Sequence, residues 1–209
     1  MISILGIQQS NFVRSVELVC AQKQQAYQVG WQLGDKAIPF RSDEHLAVHP
    51  FAKMPVIQDG ELIVQETLAI CRYLDAKYPV PALQPEGIEQ QAEHDAWCSM
   101  IVTQIDQAIM RKYLVELAFP TGPDGKPNKE KLMKNKPQPL RAVEVVEQRL
   151  AGKDYICGDQ LTLADLLLVP MLHHAAKLKY DLQLISDDSL IHDYIERLMA
   201  QPGAKDILL

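Results

Sequence analysis

The run Tyr78-Pro79-Val80-Pro81, with Pro85 and Gly87 close behind, divides this chain into two stretches that cannot be the same kind of structure. Proline lacks a backbone N–H and fixes φ, so a helix arriving at Lys77 cannot continue through this run. Before the break, short apolar runs alternate with helical patterns. After it, every apolar pattern has helical spacing.

In the first stretch, Ile2-Ser3-Ile4-Leu5 reads as a short buried strand and Gly6 to Ser10 as a loop. Asn11 to about Lys23 reads as a helix, with Val13, Val16, Val19 and Cys20 near one face. Tyr27, Val29, Trp31 and Leu33 alternate with small or polar residues, the period of a strand over 27–33. The crossover is expected to be right-handed and the two strands parallel. An irregular stretch ends at His49-Pro50. Then Pro55-Val56-Ile57-Gln58 and Glu61-Leu62-Ile63-Val64 flank Asp59-Gly60, a strong hairpin signal. Gln65 to Lys77 reads as a helix carrying Ile70, Tyr73, Leu74 and Lys77. Residues 1–78 therefore read as β-α-β followed by β-β-α, and residues 79–87 as a linker.

In the second stretch, Trp97, Ile101, Ile105 and Ile109 step by four, so a long helix from about Ile88 to Leu117 presents one apolar stripe. Phe119 to Pro127 carries three prolines and two glycines and is expected to be a loop. Residues 126–141 hold six Lys or Arg against one Glu, which a solvated loop and helix start accounts for. Further helices are expected over 139–150, from Thr162, and over 187–200. Residues 88–209 thus read as an all-helical domain.

The net charge of −6 argues against nucleic acid or an anionic membrane as partner, since both require a positive field. The amino end has no basic stretch and only a short apolar run, unlike a signal peptide. The later apolar run Leu166 to Val169 is too short to span a bilayer. Cys20, Cys71, Cys98 and Cys157 stand singly, with no metal-ligand spacing, as suits a reduced, cytoplasmic protein. His173 and His174 are adjacent on a helix, so their side chains diverge and cannot chelate one metal.

Three motifs carry the reading. In Pro50-Phe51-Ala52-Lys53-Met54-Pro55-Val56-Ile57, a proline opens a strand directly after a loop; this suits either a cis peptide bond or a tolerant edge strand. Gln65-Glu66-Thr67 lies between the second hairpin strand and a helix. Outward amides at such a helix start attract an anion and Glu66 supplies a carboxylate for a cation, the pair that a zwitterionic amino-acid group needs. Plain helix capping would use the same residues. Far downstream, Gly158-Asp159-Gln160-Leu161-Thr162-Leu163-Ala164-Asp165 looks like a capping box, a structural motif in which Thr162 and Asp165 would satisfy each other's exposed amides.

Together these segments resemble the cytosolic glutathione transferases, and specifically their serine-type, bacterial-like members. The resemblance rests on Pro50 to Val56, Asp59-Gly60, Gln65-Glu66-Thr67-Leu68-Ala69-Ile70-Cys71-Arg72-Tyr73-Leu74 and the Thr162–Asp165 box, in the family's order along nearly the whole chain. It implies a thioredoxin-like α/β amino-terminal domain (β-α-β-α-β-β-α) and an all-α carboxy-terminal domain. It also implies that glutathione is the co-substrate, with no metal. Met54, before Pro55, would pair its backbone with the cysteinyl unit, Glu66 and Thr67 would hold the γ-glutamyl group, and Lys53 would meet the glycyl carboxylate. Ser10-Asn11-Phe12-Val13-Arg14 resembles the serine-type pattern, a hydroxyl four residues before an arginine. Asn11 stands where the family often has proline, so Ser10 is the candidate thiolate partner, with Asn11, or a main-chain group or water, as the alternatives. Tyr113, Leu117 and Phe119 are candidates for lining a pocket for a small hydrophobic electrophile. The implied activity is conjugation, or a related glutathione-dependent peroxidase or isomerase reaction, in a detoxifying homodimer. A non-catalytic relative that binds ligands or other proteins is the alternative.

Overall fold

In the computed structural model, which describes residues 1–208, the chain forms two compact units. Met1–Pro85 together with the chain from Met199 on make the first, and Glu86–Leu198 the second. The last residues, expected within the helical domain, are grouped with the first unit because the short helix near the end packs on the first helix.

The first unit is built on a four-stranded sheet in the order β2-β1-β5-β6. Strand β1 (Ile2–Leu5) is buried throughout and runs parallel to β2 (Tyr27–Gly30), with Ile2 opposite Tyr27 and Leu5 opposite Gly30. Between them lies α1 (Asn11–Gln22), whose Val13, Val16 and Val19 are buried with Cys20 as the sequence spacing requires. The alternation through Leu33 does not continue one strand. The chain turns after Gly30, and Gln32–Leu33 (β3) pairs with Lys36–Ala37 (β4) as a separate small hairpin. Trp31, freed from the ladder, packs its ring on Phe40 and His45.

The stretch that carries no strand pattern holds a helix, α2 (Asp43–Val48). Ser42 caps it by accepting from the His45 amide at 3.2 Å, and Asp43 and Glu44 occupy its first turn, where the helix dipole favours negative charge. The hairpin follows: β5 (Val56–Asp59) runs antiparallel to β1 and to β6 (Leu62–Gln65). With Asp59 opposite Leu62, the turn residues are Gly60 and Glu61, and Gly60 at φ +64° supplies the positive φ a tight hairpin turn needs at its first position. Helix α3 (Thr67–Lys77) returns along α1. At its far end, the buried Lys23 ammonium reaches Asp75 at 2.5 Å and also the Pro81 carbonyl. Asp75 in turn accepts from the Leu83 amide at 2.9 Å and the Gln84 side chain at 2.7 Å. The proline-rich run is thus stapled to both helices.

The second unit is helical. Helix α4 (Ile88–Met100) continues without a break through two π-helical stretches, Ile101–Ile105 and Gln107–Leu114, into α5 (Val115–Ala118). Residues four apart drift about 40° per step on an α-helix, and the wider π winding turns them back in the opposite sense. Trp97, Ile101, Ile105, Ile109 and Tyr113 accordingly stay on one buried stripe. Glu116 accepts from Thr121, Asn128 and Lys131, folding the Pro- and Gly-rich loop back on the helix end. Helices α6 (Lys129–Asn135) and α7 (Pro137–Leu150) follow. The core helix α8 (Leu163–Ala176) and then α9 (Ile191–Met199) complete the unit. The Thr162–Asp165 capping box is present. Helix α10 (Ala204–Ile207) belongs to the first unit. Among the described residues no helix is long and apolar enough to cross a membrane.

Candidate functional site

The sheet ladders end at Leu5 opposite Val56 and at Val56 opposite Gln65. Two segments of interest begin one residue outside those ends. Pro55 is buried, its bond to Met54 is cis, and Met54 lies off the ladder with its backbone outside the sheet. On the neighbouring strand, Glu66 follows Gln65 and precedes α3.

The loop after β1 reaches the same place. Gly6 sits at φ +151°, and a side chain there would meet Val13 at 2.6 Å and Met54 at 3.4 Å, so the loop over residues 6–10 can lie against both only through a glycine. Within it, the Ser10 amide donates to the Ile7 carbonyl at 3.0 Å. The Arg14 guanidinium, buried one turn into α1, donates to the Gln8 carbonyl at 2.7 Å. Burial pulls the Arg14 pKa down while Glu17 opposes that pull. Ser10 is the N-cap of α1, its half-buried hydroxyl oxygen accepting from the Val13 amide at 3.5 Å. Asn11, the first helical residue, is 3% exposed. A capping hydroxyl accepts through a lone pair and keeps its own proton to donate.

Glu66 has φ 66° and ψ 120°, a conformation sparsely populated by residues with a side chain. Such a residue costs on the order of 1–3 kcal/mol and is concentrated at ligand clamps. It makes no side-chain cap on α3, so the first amides of that helix are left for another acceptor. Thr67 beside it is buried, while the Glu66 side chain is 75% exposed. Carboxylate and helix amides together suit a group that is both cation and anion.

Two histidines that sequence reading passed over hold this region. His45 is fully buried: Nδ1 accepts from the Arg41 amide at 3.1 Å, and Nε2–H donates to the Lys53 carbonyl at 3.0 Å. His49 accepts the Phe51 amide on Nδ1 at 3.2 Å and brings Nε2 to 3.5 Å from the Glu66 carboxylate. Burial lowers the His49 pKa, Glu66 opposing. The available signal was the placement of His49 next to Pro50-Phe51, but nothing local says which way its ring points. Lys53 is exposed beside these groups.

The second-unit candidates divide. Tyr113 is 0% exposed and donates its hydroxyl to the Leu182 carbonyl at 3.2 Å. It is therefore a core residue and not a pocket wall, one step of four beyond Ile109 on the buried stripe. Leu117 is half-buried and Phe119 is 70% exposed. The four cysteines are thiols, and burial pushes Cys20 up to about 12 and Cys157 to about 11, away from reactive thiolate character.

A family profile described as "Glutathione S-transferase, N-terminal domain" matches residues 5–86, and one described as "Glutathione S-transferase, C-terminal domain" matches residues 101–202. The chain is 30% identical over 167 residues to glutathione S-transferase 4 of Zea mays, covering 80% of this chain and 74% of the relative. It is 28% identical over 210 residues to a probable glutathione S-transferase of Oryza sativa subsp. japonica, covering 99% and 94%. Its fold is similar to the theta class glutathione S-transferase of Xanthomonas axonopodis pv. citri, solved with glutathione bound. There the TM-score is 0.83 at 21% identity, covering 100% of this chain and 97% of that one.

Proposed function

The chain belongs to the glutathione S-transferase family, and we propose that it joins the glutathione thiolate to a small apolar electrophile. One observation carries this reading: the Ser10 loop, Met54 and the strained Glu66 all lie at the ends of the β1, β5 and β6 ladders within a single unit. In this reading the Met54 backbone pairs with the cysteinyl unit strand to strand. The Glu66 carboxylate receives the γ-glutamyl ammonium, and Thr67 with the first amides of α3 receives its carboxylate. Lys53 meets the glycyl carboxylate.

The thiol is ionised by the groups at the start of α1. The Ser10 hydroxyl spends a lone pair on the Val13 amide and donates a hydrogen bond to the thiolate sulfur, and the positive end of α1 adds to this. The burial of Asn11 favours Ser10 as the partner. The thiol proton leaves to solvent. The sulfur electron pair then forms a C–S bond, and in a displacement the leaving group departs with its bonding pair. The exposed Phe51, Leu62 and Ile63 of the first unit suit pairing with a second copy of the chain, which sedimentation equilibrium measures. A cytoplasmic, detoxifying role accords with this chemistry.

The experiment is a conjugation assay with glutathione and chlorodinitrobenzene, run beside retention on immobilised glutathione. Saturable turnover above the uncatalysed rate is expected. Retention without turnover would make the protein a non-catalytic binder, and the absence of both would overturn the reading.

A further inference from the structure

The Glu66 carboxylate presents a problem of precision. Its side chain is 75% exposed, and a carboxylate so open to water has many orientations, of which only some suit a bound ammonium. His49 is the neighbour that limits them. It is 2% exposed; its ring is held by Nδ1, which accepts the Phe51 amide at 3.2 Å, and its backbone by the carbonyl, which accepts the Ala52 amide at 2.8 Å. With Nδ1 occupied as an acceptor, the neutral ring carries its proton on Nε2, which lies 3.5 Å from Glu66 Oε1. A neutral donor has a property that a lysine or arginine would lack. It orients the carboxylate without cancelling the charge that an incoming ammonium needs. Burial, which lowers the His49 pKa, keeps it in that neutral form.

We infer that His49 is a positioning residue for the γ-glutamyl ammonium. Its Nε2–H orients the Glu66 carboxylate, while the same ring organises the turn from Pro50 to Lys53 that delivers Met54. One side chain thereby joins the two segments that would grip the cysteinyl and γ-glutamyl units of glutathione. This inference rests on the glutathione site proposed above.

The test uses calorimetric binding of two ligands, glutathione and its analogue with a glutaryl group in place of γ-glutamyl, which lacks the ammonium. His49→Asn keeps an acceptor where Nδ1 meets the Phe51 amide but is too short to reach Glu66, whereas His49→Gln extends an amide N–H to about the Nε2 position. The unaltered protein is expected to prefer glutathione. In His49→Asn that preference falls about five- to tenfold, the loss of one solvent-exposed hydrogen bond to a charged group. Affinity for the glutaryl analogue stays unchanged, and His49→Gln restores most of the preference. If His49→Asn weakens both ligands equally, the histidine serves only the Met54 turn and the inference is overturned. A preference that persists undiminished in His49→Asn overturns it too. If the unaltered protein shows no preference, or Glu66→Ala leaves the preference intact, the glutamyl-site reading itself has failed. Urea unfolding of each variant separates these outcomes from misfolding.

Discussion

Replacing Asp165 with alanine is expected to cost the helical unit about 3–5 kcal/mol. The carboxylate is fully buried and accepts four hydrogen bonds. The Ile156 amide and Tyr194 hydroxyl reach Oδ1 at 2.8 and 2.9 Å, and the Thr162 amide and hydroxyl reach Oδ2 at the same two distances. The two hydroxyls can turn toward other acceptors, but the two amides are fixed by the backbone. Each buried donor left unsatisfied costs about 1–3 kcal/mol, so the amides alone account for about 2–6 kcal/mol. Against this stands relief from burying the carboxylate, whose cost is visible in the upward push that desolvation gives the Asp165 pKa. The net loss belongs near the figure for breaking a buried charged network. Asp165→Asn separates shape from acceptance. It fills the same space, yet in either orientation its NH2 faces one of the two amides, so it should recover less than half of the loss. Urea unfolding followed by circular dichroism measures both variants, and the slope must stay constant for the midpoints to be compared. A loss below about 1 kcal/mol for Asp165→Ala at constant slope would mean that water satisfies these amides, and the reasoning would be wrong.

Ser10→Ala should lower turnover by roughly one to two orders of magnitude, the value of one charge-assisted hydrogen bond. Glutathione affinity should change little, and the thiolate absorbance of the bound tripeptide should shift to higher pH; Asn11→Ala, if it alone abolishes activity, reassigns the role. Lys23→Ala leaves the Asp75 carboxylate buried without its cation and should cost about 3–5 kcal/mol in urea unfolding, whereas a neutral result would show the Leu83 and Gln84 bonds suffice. Glu17 is buried and its pKa is raised to about 7 from an ordinary value of 4.5. Between those two values the folded protein holds a proton that the unfolded chain has released, so stability falls as pH rises through that window. Urea midpoints at pH 5 and pH 8 should show that fall, Glu17→Gln should flatten it, and an identical slope in the variant would place the titration elsewhere.

Much of the secondary structure could be read from neighbours along the chain, because helix and strand depend on contacts within a few residues. The period of Val13, Val16 and Val19, the Gly60 turn, the Pro79–Pro81 break and the Thr162–Asp165 box are all short-range patterns, and each has a counterpart in the structure. The same kind of pattern misled over Leu33. Alternation persists across Gly30, and only the packing of Trp31 on Phe40 and His45 turns the chain out of the sheet. Helix α2 lies in the stretch read as irregular, because six residues are too few to show a period. The candidate site needed tertiary structure most. Its residue types could be named from motifs, yet the approach of Gly6 to Met54 and the reach of His49 to Glu66 join segments that no local pattern relates. Sheet order brought those segments together: β5 lies between β1 and β6, so the loops at one end of three strands converge. Packing also decided which polar groups became buried, and burial pushes the Glu17 pKa up and the His49 pKa down from the ordinary values that composition alone would assign.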